Sequence, residues 1–524
     1  MVKPDNKTKV KVKINAKPKI NPKAKLKVKP NIKSKIKPKI KPEIKPKILL
    51  MYPNFKWAGK WEARTLWGLH PYNLMLLSAM IDKKYDVTIL DANWGSMTEE
   101  QFADYLRKEK PELIGISVLT NEYGASGLAA ARIAKEVDAS IKTVMGGVYA
   151  TSDYDNIISY PHVDYVIIGE GEYTLKELCD HLFDNGEFPK AGILYKEKDK
   201  NEGAVKIINT GRREFIQDLD ALPIPSYHKV DFLRYANSVQ RDSVDRARAY
   251  PYAHVFTSRG CPFRCCFCAA GGISGRKIRY RSAEHMLAEI EFLMKQYGIK
   301  SFIIDDDNIL TDKERARSFF KLLIDKNLGL KWNAVSVAVF KLNEEMLELM
   351  KKSGCQYVNI AIESGVPRVL RDIIHKPVDL EHAKRMVKKM KELSIDVAAN
   401  YIIGFPGEKW IEIRQTIRFA EELDADYSKI FIATPLPNTE LYEIVKTKGY
   451  LTKSWKGFNE HLWTDGYIET DEFRPQDLKI LRAYEWDRVN FAKPEKRAKI
   501  LTMMGVTEQR LNEIIRNTFK RANP

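Results

Sequence analysis

From residue 48 onward, short apolar runs alternate with amphipathic stretches. Ile48–Tyr52 is apolar and of strand length, Tyr72–Ile81 has helical spacing, and Asp86–Leu90 reads as a second strand. A helix over Glu99–Lys108, a strand over Glu112–Val118 and a helix over Gly127–Glu136 come next. Strands over Ile141–Gly146 and Asp164–Ile168 and a helix over Glu172–His181 complete the series. The alternation predicts a parallel doubly wound sheet for residues 48–190, with ligands at the carboxyl ends of its strands. Ala191–Ile208 reads as a polar hairpin turning at Asn201–Gly203. With the proline-punctuated Asp218–Tyr227 and the charged Arg241–Arg248, it makes 191–250 a linker.

A second β/α series fills 251–445. Strands are predicted at Ala253–Thr257, Ser301–Asp305, Trp332–Ala338, Gln356–Ile362, Asp396–Ile403 and Lys429–Thr434. Helices over Ala283–Gln296, Asp312–Asp325, Asn343–Lys352, Leu380–Leu393, Trp410–Leu423 and Thr439–Thr447 alternate with them. Residues 446–524 are helical over Pro475–Asn490, Glu495–Met504 and Thr507–Ala522, and carry Trp455, Trp463, Tyr467, Tyr484 and Trp486. Aromatics of this kind read as core.

Residues 1–47 follow a different rule. From Lys7 to Lys47 every odd position is Lys except Asn15, Asn21, Asn31 and Glu43, and the segment holds seven prolines. Proline at that density and lysine self-repulsion predict a disordered, extended tail rather than a strand. Its 18 lysines against Asp5 and Glu43 give +16 of the chain's +18, leaving +2 for residues 48–524. The basic character therefore belongs to one end and does not mark the body as a nucleic-acid binder. The tail reads as a solubilising extension or as a peripheral contact with anionic membrane. It has no aromatic residue to stack on bases, which argues against nucleic acid. The chain shows no run of about 20 apolar residues and its N-terminus lacks the apolar core of a signal peptide, so a soluble cytoplasmic protein is expected.

Four of the six cysteines, Cys261, Cys265, Cys266 and Cys268, crowd into eight residues directly after a predicted strand. A structural zinc site wants four protein ligands, and no fourth of suitable spacing follows. Cys261, Cys265 and Cys268, spaced Cys-x3-Cys-x2-Cys, instead fit three irons of a cubane [4Fe–4S] cluster whose fourth iron stays open. Cys266 reads as packed or a bystander. The first region ends its strands on Tyr52-Pro53-Asn54, Ser117–Thr120, Gly146–Tyr149 and Gly169–Glu172, where glycines permit close backbone approach to a bulky ligand.

Cys-x3-Cys-x-aromatic-Cys, with Phe267 as the aromatic, resembles the signature of the radical S-adenosylmethionine (SAM) superfamily. The resemblance implies a partial (β/α)6 barrel over 251–445, with chemistry at the carboxyl ends of its strands. It implies SAM contacts from Glu363 and Ser364, an adenine-side turn at Gly404 and Gly407, and catalytic Asp305 and Asp307 facing SAM or substrate. The loop Thr434–Thr439 resembles the family's proline-rich loop, with Asn438 where Gly is usual. A Rossmann-like domain ahead of such a barrel, with Gly146–Thr151 and Gly169–Glu172, resembles the cobalamin-binding class. Thr120, Gly146, Gly147 and Glu170 are then the implied cobalamin contacts, although no Asp-x-His-x-x-Gly supplies a cobalt ligand. A small helical cap over the barrel mouth is expected from 446–524.

The implied cofactors are a [4Fe–4S] cluster, SAM and cobalamin, with an external one-electron donor such as flavodoxin or ferredoxin. The implied reaction is methyl transfer to an unactivated carbon of a small-molecule or lipid substrate, through a 5′-deoxyadenosyl radical and methylcobalamin. A non-methylating cyclase or rearrangement enzyme is the alternative within the class. A metal-binding, nucleic-acid-binding module is the alternative from another class. Methylthiolation of tRNA is disfavoured, because residues 48–250 hold only Cys179.

Overall fold

The computed structural model describes residues 45–57, 69–198, 205–238, 242–455, 457 and 465–523. The lysine-rich tail up to residue 44, the Asn201–Gly203 turn and Trp463 lie outside the described residues.

The first sheet has seven strands. β1 (Lys47–Tyr52), β2 (Asp86–Asp91), β3 (Leu113–Ser117), β4 (Lys142–Gly146) and β5 (Tyr165–Ile167) run parallel, in the order β2-β1-β3-β4-β5. Successive residues of β1 enter opposite cores: Leu49 and Met51 on one face, Ile48 and Leu50 on the other. That division explains the unbroken apolar run of this strand, since both faces are covered by helices. The hairpin at 191–208 is not a free linker piece. Its strands β6 (Ile193–Lys198) and β7 (Val205–Asn209) extend the same sheet, β6 antiparallel to β5 and β7 antiparallel to β6.

The second sheet is all parallel. Its strands are β8 (Tyr252–Val255), β11 (Ser301–Ile304), β12 (Lys331–Val337), β13 (Cys355–Glu363), β14 (Asp396–Ile403) and β15 (Tyr427–Ile432), neighbouring one another in sequence order. A two-residue antiparallel ribbon, β9 (Ser258–Arg259) with β10 (Arg279–Tyr280), stands between β8 and β11 in the chain. Four of the helices between these strands, and the helix that follows β15, start on side-chain caps: Ser282, Asp312, Asn343, Asp379 and Thr439 each accept from a backbone N–H of the first turn. The barrel is open between β8 and β15. Asp245, from the segment ahead of β8, plugs its floor by pairing with Lys429 at 2.6 Å and accepting from the Tyr357 hydroxyl at 2.6 Å.

The C-terminal helices do not cap the mouth, contrary to the expectation above. Pro475–Phe491 lies along the open edge strand β15, where Asn490 bridges the Ser428 N–H (2.8 Å) and C=O (2.9 Å) and Arg482 donates to the Ile430 carbonyl (2.9 Å). Side chains thus replace the missing strand partner of an edge. The helix Pro494–Met504 reaches the floor, where Lys499 pairs with Asp426 at 2.9 Å and Arg246 donates to the Met503 carbonyl at 2.7 Å. Trp486 and Tyr467 are buried and Tyr484 is exposed.

Asn490→Leu keeps the volume but leaves a buried N–H and C=O of β15 unpaired. At about 1–3 kcal/mol for each stranded group, the variant should unfold at a clearly lower urea concentration than the native protein. An unchanged midpoint would show that the edge is held by apolar packing alone.

Candidate active site between the two halves

The carboxyl ends of both sheets face one cavity of about 420 Å³. From the first sheet it is lined by Tyr52, Ser117, Gly146, Gly147 and Gly169; from the barrel, by His254, Phe256, Asp305 and Asp307. An apolar slot formed by Leu50, Leu74, Leu77, Val144, Ile167 and Leu175 continues between the first-sheet strands and their helices. A methyl group added at Gly146 or Gly169 would meet nothing within 4 Å, so both backbones border open space. Gly147 has φ +91°, and a Cβ there would lie 2.6 Å from the Val118 carbonyl oxygen. Only glycine fits that turn. This glycine edge and apolar slot suit a large, flat, partly apolar cofactor. Tyr52 hydrogen-bonds Asn73, which donates to Ser117 at 2.8 Å, making a polar rim.

The cysteine loop is anchored by the middle carboxylate of Asp305-Asp306-Asp307. Asp306 is buried and accepts from the Thr257 N–H (2.5 Å) and hydroxyl and from the Ser258 N–H (3.2 Å) and hydroxyl (2.7 Å). The chain leaving β8 is therefore fixed before the first cysteine. Gly260, with φ +96°, allows Cys261 N–H to donate to the Gly275 carbonyl at 3.0 Å. Cys266 is buried and bolted into the barrel, its N–H on the Ile374 carbonyl and its C=O accepting from Leu441 N–H. Cys261, Cys265 and Cys268 remain only partly buried. Burial pushes the Cys265 thiol up to about 11, against the pull of Lys376; the Cys261 and Cys268 thiols are raised for the same reason. Thiols held this way become ligands when iron displaces their protons. Three thiols with no fourth ligand of suitable spacing suit a cluster with one thiolate per iron better than a lone zinc.

The other expected residues divide into those at the cavity and those engaged in the fold. Asp305 accepts a hydrogen bond from His254 Nδ1 and, with Asp307, faces the cavity. Burial and the neighbouring Asp306 raise the Asp307 carboxyl. Glu363 has φ +72° and pairs with the buried Lys376 at 2.7 Å, beside the cysteine loop. Phe267 packs on Phe405, ring centroids 5.9 Å apart, which brings the cysteine loop to the turn of Gly404 and Gly407. Ser364 is turned away, its hydroxyl on Thr416 (3.0 Å) and the Val366 N–H (3.2 Å). Thr120 caps the turn Asn121–Tyr123, and its neighbours Ser117 and Leu119 line the cavity instead. Glu170 borders the cavity, but Arg259, Arg279 and the Ile216 N–H hold its carboxylate. Asn438, with φ +59°, adopts the left-handed turn that Gly usually supplies.

Sequence reasoning missed His70, His254, Asn73 and Lys376. His254 and Asn73 sit inside ordinary apolar patterns, and Lys376 follows a helical turn, so none carries a local signal. His70 stacks on Phe232 at 4.8 Å, and burial holds its imidazole neutral, well below its ordinary pKa.

Two family models match this chain: the B12 binding domain over residues 68–179 and the radical SAM superfamily over 255–420. The uncharacterized methyltransferase PH0819 of Pyrococcus horikoshii is 34% identical over 417 residues, 79% of this chain and 86% of that protein. The chain belongs to the radical SAM superfamily, in the group that carries a B12-binding domain. This radical SAM enzyme is also 28% identical, over 73% of its length and 79% of the relative's, to the cytidylyl-2-hydroxyethylphosphonate methyltransferase of Streptomyces wedmorensis. Its fold matches that of the radical SAM methyltransferase TsrM from Kitasatospora setae, solved with cobalamin and a [4Fe–4S] cluster bound. The TM-score is 0.63 at 16% identity, covering 88% of this chain and 99% of that one.

Glu408 completes the turn over the site. It is buried, accepts from the Gly404 (2.7 Å) and Phe405 (3.1 Å) N–H groups through one oxygen, and is pushed up to about 8 by burial. Folding therefore takes up a proton, and stability should fall as pH rises from about 4.5 toward about 8. Glu408→Gln, which carries no charge at any pH, should flatten this decline. Thermal unfolding of both proteins between pH 5 and 9 tests it, with the variant gaining on the native protein at the alkaline end; parallel curves would refute it.

Proposed function

We propose that the chain is a cobalamin-dependent radical SAM methyltransferase acting on an unactivated carbon of a small-molecule or lipid substrate. The observation that carries this reading is the shared cavity, bordered by the glycine edge of one half and by the cysteine loop's surroundings, Asp305 and Asp307, of the other. A [4Fe–4S] cluster would supply the electron for the cleavage of SAM, and cobalamin would supply the methyl carrier. Cys261, Cys265 and Cys268 would hold the cluster. Glu363, fixed by Lys376, and the Gly404–Gly407 turn would orient SAM. Gly146, Gly147 and Gly169 would border the cobalamin, with the apolar slot beside them. Asp305, oriented by His254, would face the substrate. The apolar walls would keep water from the reacting groups.

The reduction requires an external one-electron donor of the flavodoxin or ferredoxin kind. The lysine-rich tail supports a peripheral contact with anionic membrane, which would suit a lipid substrate. Among the described residues no helix is long and apolar enough to cross a membrane.

Anaerobic reconstitution should load about four irons per chain. Cys265→Ala should lose them, whereas Cys266→Ala should keep them, because that thiol faces the core. With SAM, cobalamin and reductant, the native protein should release 5′-deoxyadenosine and S-adenosylhomocysteine. Deoxyadenosine alone would favour a cyclase or rearrangement, and one zinc per chain would favour a binding module. Removing residues 2–46 should abolish flotation with phosphatidylserine vesicles; undiminished flotation would end the membrane reading.

A further inference from the structure

The two halves meet at a buried ionic knot. Glu170 accepts from Arg259 Nη1 at 3.0 Å, from Arg279 Nη1 at 2.7 Å and from the Ile216 N–H at 2.7 Å. Glu172 accepts from Arg259 Nη2 at 2.6 Å. Arg279 also donates to the carbonyls of Ser274 (2.6 Å) and Ile216 (2.9 Å), with Phe215 over its guanidinium at 4.8 Å. The side chain of Arg279 is 2% exposed and that of Glu170 is 10% exposed. Neither half can slide at this point without stranding a charge away from water.

The two arginines pair directly across the β9–β10 ribbon, and the chain between them is the cysteine loop. Cys261 follows Arg259 by two residues. On the other side, Glu170 lies in the turn after β5 and Glu172 opens the helix that follows it; Gly169, Glu170 and Gly171 of that turn border the cavity next to the Gly146–Gly147 edge. One turn therefore touches both the cobalamin-facing cavity and the base of the loop that would carry the cluster.

We propose that Glu170 and Glu172 are positioning residues, which hold the Arg259–Arg279 ribbon, and with it the cysteine loop, in register with the cobalamin-binding edge. Occupancy of that edge orders the turn, and the turn orders the ribbon. The inference rests on the cofactor reading above, and assigns Glu170 to this joint rather than to contact with the cofactor.

Amide hydrogen exchange tests it in the full chain, with and without hydroxocobalamin, on native protein and on the double variant Glu170→Gln, Glu172→Gln. Hydroxocobalamin should slow exchange over residues 258–281 roughly tenfold in the native protein and leave it unchanged in the variant. Exchange over β12–β14, away from the joint, should not differ between them, which separates positioning from general loss of stability. Equal slowing in both proteins overturns the proposal, as does no slowing in native protein that binds cobalamin by its visible spectrum. Failure to bind cobalamin at all shows in that spectrum and sinks the cofactor reading with it. Should the double variant not fold, Glu172→Gln alone breaks one pair, and its slowing should fall below the native value; full slowing overturns the proposal.

Discussion

Glu170 and Glu172 meet Arg259 and Arg279 at a joint where the covering elements exclude most water. Removing one partner from such a pair costs about 3–5 kcal/mol. Exposed pairs elsewhere, such as Arg107–Asp104 and Lys190–Glu187, are screened by solvent and decide little. The relative placement of the two sheets thus draws on these buried side chains, together with apolar contacts such as Tyr72 on Phe256, rather than on the sum of surface charge. Parallel strands expose their functional loops at one edge only, so this joint also determines that the two edges face each other across one cavity.

Much of the polar chemistry around the cavity serves geometry. Asp306 fixes the exit of β8, Ser364 and Thr120 close turns, and Glu408 ties the Gly404 turn to its own backbone. On the proposed function, the groups left to meet cofactors or substrate form a thin layer: three thiols, Asp305, Asp307, Glu363 and the glycine edge. Such a division is physically reasonable, because cofactors that carry the reactive chemistry need orientation and a dry enclosure more than additional catalytic groups.

The strands and helices of both β/α series were legible because buried parallel strands are continuous apolar runs, a pattern that depends only on near neighbours. The cysteine loop was legible for the same reason: its cysteines lie within eight residues. The β6–β7 hairpin was recognised as a hairpin, but its polar pattern holds no information about the sheet it would join. The C-terminal helices were also recognised, and their place was not, since a need for side chains along β15 arises only once the barrel is left open there. Lys376 and Glu363 are 13 residues apart and meet through a π-helical turn ending at His375 in the left-handed region, which no spacing rule predicts.

The amino-acid order by itself determined two β/α series, a three-thiol loop and a charged tail separate from a nearly neutral body. These follow from periodicity, spacing and counting, which act over short stretches of chain. Tertiary structure alone decided which carboxylate of Asp305-Asp306-Asp307 is an anchor and which two face the cavity. It likewise decided that Glu170 pairs with arginines 89 and 109 residues away and that Asn490 completes β15. The physical reason is common to all three. A buried charge or an unpaired backbone group must find its partner wherever the fold brings one, and that partner's distance along the chain is not encoded in any local pattern.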